Sequence, residues 1–293
     1  MAVEERDTYT GHMTTGHVWN GIKELNTRVP RIVYLFLALT VSAALVCWLL
    51  MPAWPLGTTY TKGLLGINQR KALTNDLRHA AAIRDPWMHR IEAEDFAAIQ
   101  ADPNLMQNVR DTGHRLFGDN CAACHGIHGQ GGKGFPSLIG PSWLWGGDPE
   151  TIAETIRVGI NSGHKDSRSS QMPAFGHEHM LERKDIITVV AFVRSLSNPG
   201  LVTKENAAVI DAGKQVFGAN CAACHGEDAK GLHMGAPNLV EHTWIYGGDG
   251  DSVFNTVWNG RQGQMPTWEA RLSPAERKIL ALYVADVLRA RPQ

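Results

Sequence analysis

Two identical pentapeptides, Cys-Ala-Ala-Cys-His, stand at residues 121–125 and 221–225. Cys-x-x-Cys-His is the attachment pattern of c-type haem. Thiols three positions apart on one helical turn reach the two vinyl groups on one edge of a porphyrin, and the next residue falls under the iron. Cys121 and Cys124 are therefore expected to bind one haem covalently, with His125 as proximal ligand. Cys221, Cys224 and His225 repeat the arrangement. Zinc ribbons pair such motifs roughly 15–20 residues apart, and thioredoxin-type pairs need a βαβ setting; neither matches this spacing and context.

Each iron needs a second axial ligand, and two Gln-Met-Pro triplets stand in equivalent places downstream, at Met172 and Met265. A thioether opposite histidine raises the reduction potential and closes the sixth position, which suits electron transfer rather than oxygen chemistry. Within each repeat the expected pairs are His125 with Met172 and His225 with Met265. Gly159 lies 13 positions before Met172, whereas its counterpart Gly260 lies 5 before Met265. The eight extra residues fall in NSGHKDSRSS and include His164, so a bis-histidine first haem, His125 with His164, is the rival. Met234 competes with Met265 but has no counterpart in the first repeat. His177, His179, His233 and His242 read as loop residues.

The elements that must position these ligands repeat as well. DTGHRLFGDNCAACHG (111–126) and DAGKQVFGANCAACHG (211–226) share 11 of 16 residues. Pro136-Ser-Leu then matches Pro237-Asn-Leu, and Trp143-Leu-Trp-Gly-Gly-Asp matches Trp244-Ile-Tyr-Gly-Gly-Asp. This is a duplicated domain. Residues 105–120 and 204–220 read as helices leading into the motifs. LERKDIITVVAFVRSL closes the first copy as a helix, and Ser273-Pro274-Ala275-Glu276 opens the last with a capping-box pattern. The Pro136 and Pro237 turns are expected to offer a carbonyl to the proximal imidazole N–H. Trp143, Trp145, Trp244 and Tyr246 are either crevice wall and propionate donors or ordinary core aromatics.

Ahead of the repeats, Ile32–Trp54 holds 23 residues without an Asp, Glu, Lys, Arg or His. As a helix it would span roughly 35 Å, enough for a hydrocarbon core of about 30 Å. Tyr34, Trp48 and Trp54 suit the headgroup belts. Basic residues on the two flanks tie, so charge does not orient the span. Covalent haem is attached outside the bacterial cytoplasmic membrane, which puts residues 58–293 in the periplasm and 1–30 in the cytoplasm of a single-pass inner-membrane protein. Cys47, in mid-span, reads as a small apolar residue. With 28 basic and 29 acidic residues the chain lacks a basic footprint for nucleic acid.

The expected fold is mainly α: one N-terminal transmembrane helix followed by two tandem class I cytochrome c domains. The layout is a cytoplasmic segment (1–31), the span (32–54), a periplasmic connecting arm (55–104, with 62–104 helical) and cytochrome domains at 105–198 and 204–293.

Beyond the motifs, TTGHVWNGIKELNTRVPR (14–31), MPAWPL (51–56) and TKGLLGINQR (61–70) resemble the corresponding stretches of one family, the dihaem FixP/CcoP-type subunit III of cbb3-type cytochrome c oxidases. The resemblance covers the whole chain. It implies two covalent haems c, a donor c-type cytochrome, and onward transfer through a monohaem subunit to the catalytic subunit that reduces oxygen and pumps protons. The chain itself would be an electron-transfer subunit and no catalyst. Two other classes fit the haem motifs: a membrane-anchored dihaem cytochrome serving another periplasmic dehydrogenase or reductase, and a dihaem peroxidase, which needs an open distal position that the paired Met-Pro triplets argue against.

Overall fold

The apolar run becomes helix α1, Arg31–Leu50, in the computed structural model, which describes residues 4–289. Twenty residues rise about 30 Å, a bilayer core's thickness. The helix ends four residues before the expected Trp54 because Pro52 follows: Met51 is driven to extended backbone (φ −110°, ψ 160°), as residues before proline are. The chain then turns back, and the Leu64 and Leu65 N–H groups donate to the carbonyls of Leu49 and Leu50 at 2.9 and 3.0 Å. Two of the last helical carbonyls are thereby satisfied. None of the α1 side chains is buried within the protein, which leaves them for lipid. Before it, β1 (Thr14–Trp19) and β2 (Ile22–Leu25) pair antiparallel. Asn20 and Gly21, at φ of 50° and 84°, form the tight turn that Asn-Gly favours.

The chain divides into two compact units, Met1–Ile83 and Arg84–Gln293. The second begins within α2 (Gln69–Ala93) and continues through α3 (Phe96–Ala101) and α4 (Pro103–Asn120), so the connecting arm is largely helical. Asp95 accepts the Ala98 N–H at 2.7 Å and Asp102 the Asn104 N–H at 2.9 Å, capping α3 and α4. The first motif forms the short turn α5 (Ala122–His125), followed by α6 (Pro149–Val158) and α7 (Arg183–Ser197). The second repeat gives α8 (Ala207–Asn220), α9 (Ala222–His225), α10 (Gly250–Asn259) and α11 (Pro274–Leu282), which continues into a wider turn at Tyr283–Leu288. Ser273 and Glu276 cap α11 reciprocally, as their spacing predicts.

The packing does not follow sequence order. α11 packs on α4 and α6, whereas α7 packs on α8 and α10. One core joins Val109 and Phe117 of α4 with Ile152 and Ile156 of α6, Trp268, and Ile279 and Leu282 of α11. The other joins Val189 and Val193 of α7 with Phe217 of α8 and Val253 and Val257 of α10. The contiguous blocks 105–198 and 204–293 are therefore tandem in sequence but nested in space. The second core lies wholly between residues 172 and 258, and the first draws on residues before and after it. A short link explains this. Only residues 198–206 separate α7 from α8, and helices joined by so short a connection pack side by side. Glycines mark both close approaches. A Cβ at Gly113 of α4 would lie 2.7 Å from Tyr283, and one at the equivalent Gly213 of α8 would run into the α7 backbone at Thr188.

Candidate functional site

Each Cys-x-x-Cys-His motif closes one turn at the end of its leading helix. His125 N–H donates to Cys121 O at 2.9 Å, and His225 N–H to Cys221 O at 3.0 Å. In both motifs the first cysteine is half-buried and the second exposed. Burial, with the neighbouring cysteine second, pushes the Cys121 and Cys221 thiols up to about 11. Burial also lowers both imidazoles below the usual histidine value, which favours the neutral ligating form. His125 Nδ1 lies 3.0 Å from Pro136 O and His225 Nδ1 lies 3.0 Å from Pro237 O, as the two proline turns lead one to expect. A carbonyl only accepts, so Nδ1 carries the proton and Nε2 presents its lone pair.

The methionines arrive crossed. Met265 packs against the core that holds Cys121, and Met172 against the core that holds Cys221. Backbone pairing fixes both. Ile160 and Met265 exchange N–H···O bonds of 2.9 Å in each direction, and Met172 and Arg261 exchange bonds of 2.8 and 3.0 Å. Ile160 and Arg261 are equivalent positions in the two repeats, so each repeat receives the other's methionine. The within-repeat pairs, His125 with Met172 and His225 with Met265, do not share a core. The rival ligand His164 is engaged elsewhere: Nε2 meets Glu269 Oε2 at 2.8 Å, and Nδ1 accepts the Asp166 N–H at 3.0 Å. Met234 is 58% exposed and belongs to neither core.

Haem propionates need hydrogen-bond donors, and the site offers them. The buried indole Nε1 atoms of Trp143 and Trp145, and Nε of Arg168, have no partner among the described residues. An unpaired buried donor is costly, and a carboxylate is the partner that would relieve it. The Arg168 guanidinium lies over the Trp145 ring at 5.0 Å, and Arg261 lies over Tyr246, the equivalent aromatic, at 4.5 Å. Sequence reasoning left the aromatics open between wall and core and passed over both arginines. Nothing in their local sequence signals a ring partner 15 or more residues away.

The loops that follow the two motifs form a common wall. Gly134 N–H donates to Ile245 O at 2.7 Å, and the equivalent Gly235 N–H donates to Leu144 O at 2.8 Å. Asn238 donates to Ser142 Oγ at 3.0 Å, and Ser142 donates to Glu241. A cleft lined by Phe135 and Trp143 from one repeat and Asn238 and Trp244 from the other runs along this junction.

Three family models match the chain: the N-terminal domain of cytochrome oxidase-cbb3, FixP, at residues 11–58; cytochrome c at 111–197; and cytochrome c oxidase, cbb3-type, subunit III at 208–284. Among curated relatives, the cbb3-type cytochrome c oxidase subunit FixP of Bradyrhizobium sp. (strain ORS 278) is 44% identical, with 96% of each chain covered. The CcoP subunit of Azospirillum brasilense is 41% identical over 98% of this chain and 99% of its own. That of Cereibacter sphaeroides is 40% identical over 92% and 93%. With its single apolar helix and two cytochrome c repeats, the chain belongs to the FixP/CcoP family of cbb3-type cytochrome c oxidase subunits, membrane-bound electron-transfer proteins carrying covalent haem c.

Proposed function

We propose that the chain holds two haems c, one on Cys121 and Cys124 and one on Cys221 and Cys224, with axial pairs His125–Met265 and His225–Met172. Its role is to pass electrons from a donor c-type cytochrome to the monohaem subunit of a cbb3-type oxidase, and so to the oxygen-reducing, proton-pumping catalytic subunit. When bound, each haem c supplies a one-electron iron couple. The protein's own residues do the rest. His125 and His225 are oriented by Pro136 and Pro237, the methionines are pinned by backbone pairs and would close the sixth position of a bound haem, and Trp143, Trp145 and Arg168 would donate to its carboxylates. The observation that carries the reading is the symmetric exchange of methionines between two equivalent proximal sites. The shared loop wall supports passage between them. Covalent attachment outside the cytoplasmic membrane supports a periplasmic position for the cytochrome repeats, with the N-terminus in the cytoplasm.

Purification of the tagged chain from detergent-solubilised membranes tests the role. Co-purification with a haem–copper oxidase core is the expected outcome. Recovery with a dehydrogenase alone, or stoichiometric carbon monoxide binding to both reduced haems without denaturant, overturns it.

A further inference from the structure

The segment that bears Met265 is tied down by Arg157 of α6 and by residues of the insertion that sets the first repeat apart. Asn161 Nδ2 donates to Gly263 O at 2.7 Å, and Thr267 Oγ1 donates to Arg157 O at 2.6 Å. Beyond them, Glu269 is held at both oxygens: Arg157 Nη1 lies 2.8 Å from Oε1 and His164 Nε2 lies 2.8 Å from Oε2. Arg157 first and His164 second hold the Glu269 carboxyl down at about 2, so the acceptor is ionised across the physiological range. His164 has no freedom to turn away. Its Nδ1 accepts the Asp166 N–H, which leaves Nε2 as the protonated atom facing Glu269, and its side chain is only 10% exposed.

The other methionine segment is built differently. Trp258 occupies the place of Arg157, and Gly176 the place of Glu269. The indole packs flat on the glycine, where a Cβ would collide with the ring. Beside Met172 the tie is ring against backbone. Beside Met265 it is a carboxylate between two cations or donors, and the third partner comes from the eight added residues.

We infer that His164 is a positioning residue for Met265, acting through Glu269, and that the insertion carrying it braces the Met265 segment by this side-chain clamp. The inference rests on Met265 being an axial ligand, as proposed above, and deepens that reading by naming what holds the ligand in place.

The test uses the full-length holoprotein and two readouts: the far-red charge-transfer band of methionine-ligated ferric haem, and titration with imidazole, which competes with the thioether. His164→Ala is expected to raise the imidazole affinity of one haem about tenfold, the effect of one charge-assisted bond on one loop. His164→Gln, whose amide N–H still reaches Glu269, restores the wild-type value. In a Met265→Ala background His164→Ala adds nothing, whereas in Met172→Ala its effect persists in full. If His164→Ala leaves imidazole affinity unchanged, or acts equally in the Met265→Ala background, the brace is refuted while the ligand assignment stands. If Met265→Ala itself leaves the far-red band intact, the axial assignment fails, and the inference fails with it.

Discussion

At the scale of single residues, the proximal half of each site is written in a contiguous motif and the distal half is not. Cys121, Cys124 and His125 must fall together because a single helical turn holds them, and the same is true a hundred residues on. Met172 and Met265 are named by their Gln-Met-Pro echo, but nothing in either triplet says which histidine it faces. The crossed packing decides that. With Cys121 and Cys124 replaced by alanine, only the second haem remains. In that background Met172→Ala should abolish the far-red band of the ferric protein, and Met265→Ala should retain it. The reverse result would restore the within-repeat pairs. A thioether lost to water or hydroxide also lowers the potential, so potentiometry reports the same event independently.

At the scale of elements, α4, α7, α8 and α11 were legible in the sequence, whereas α6 and α10 were not among the expected helices although both carry a local start signal. Asp148 and Asp249 stand one residue before α6 and α10 and accept N–H groups three residues on, at 2.7 and 2.9 Å. Ser273 and Glu276 box the start of α11. Partnership between helices was not legible, because an apolar stripe states that a face is buried without stating against what. Gly113 and Tyr283 expose the choice. A methyl group at Gly113 would press on the Tyr283 side chain at 2.7–2.9 Å. Overpacking of that kind costs roughly 1–3 kcal/mol. Gly113→Ala should therefore couple to Tyr283→Ala by an energy of that order in a double-mutant cycle on thermal unfolding of the holoprotein. The same glycine change should add independently to Phe192→Ala, because Phe192 belongs to the other core. Coupling to Phe192 instead would mean that α7, and not α11, lies on α4.

At the scale of the whole molecule, duplication leads one to expect two beads on a string, and the chain is better described as one cytochrome fold interrupted by another. The chain enters the inner fold beside Met172 and leaves it beside Arg261, two residues that exchange backbone hydrogen bonds. An insertion whose two ends already touch strains the host little, for the reason that circular permutants and inserted domains with adjacent termini are tolerated. Inside those ends the order of parts is rotated: the methionine and its helix α7 come first, then α8, the haem motif and α10. Every buried member of the second core lies within this stretch, from Phe175 to Val257. The segment 165–262, about the size of an ordinary small domain, should therefore fold alone when exported and haem-loaded. It should carry one haem with the spectrum of histidine–methionine ligation. If the repeats packed in sequence order, the same segment would hold a haem motif cut off from its own methionine, Met265, and from its closing helix, α11, and its haem would be high-spin or open to imidazole without competition. Carbon monoxide binding by the reduced segment separates the two outcomes, because a closed iron resists the gas and an open one takes it up at once.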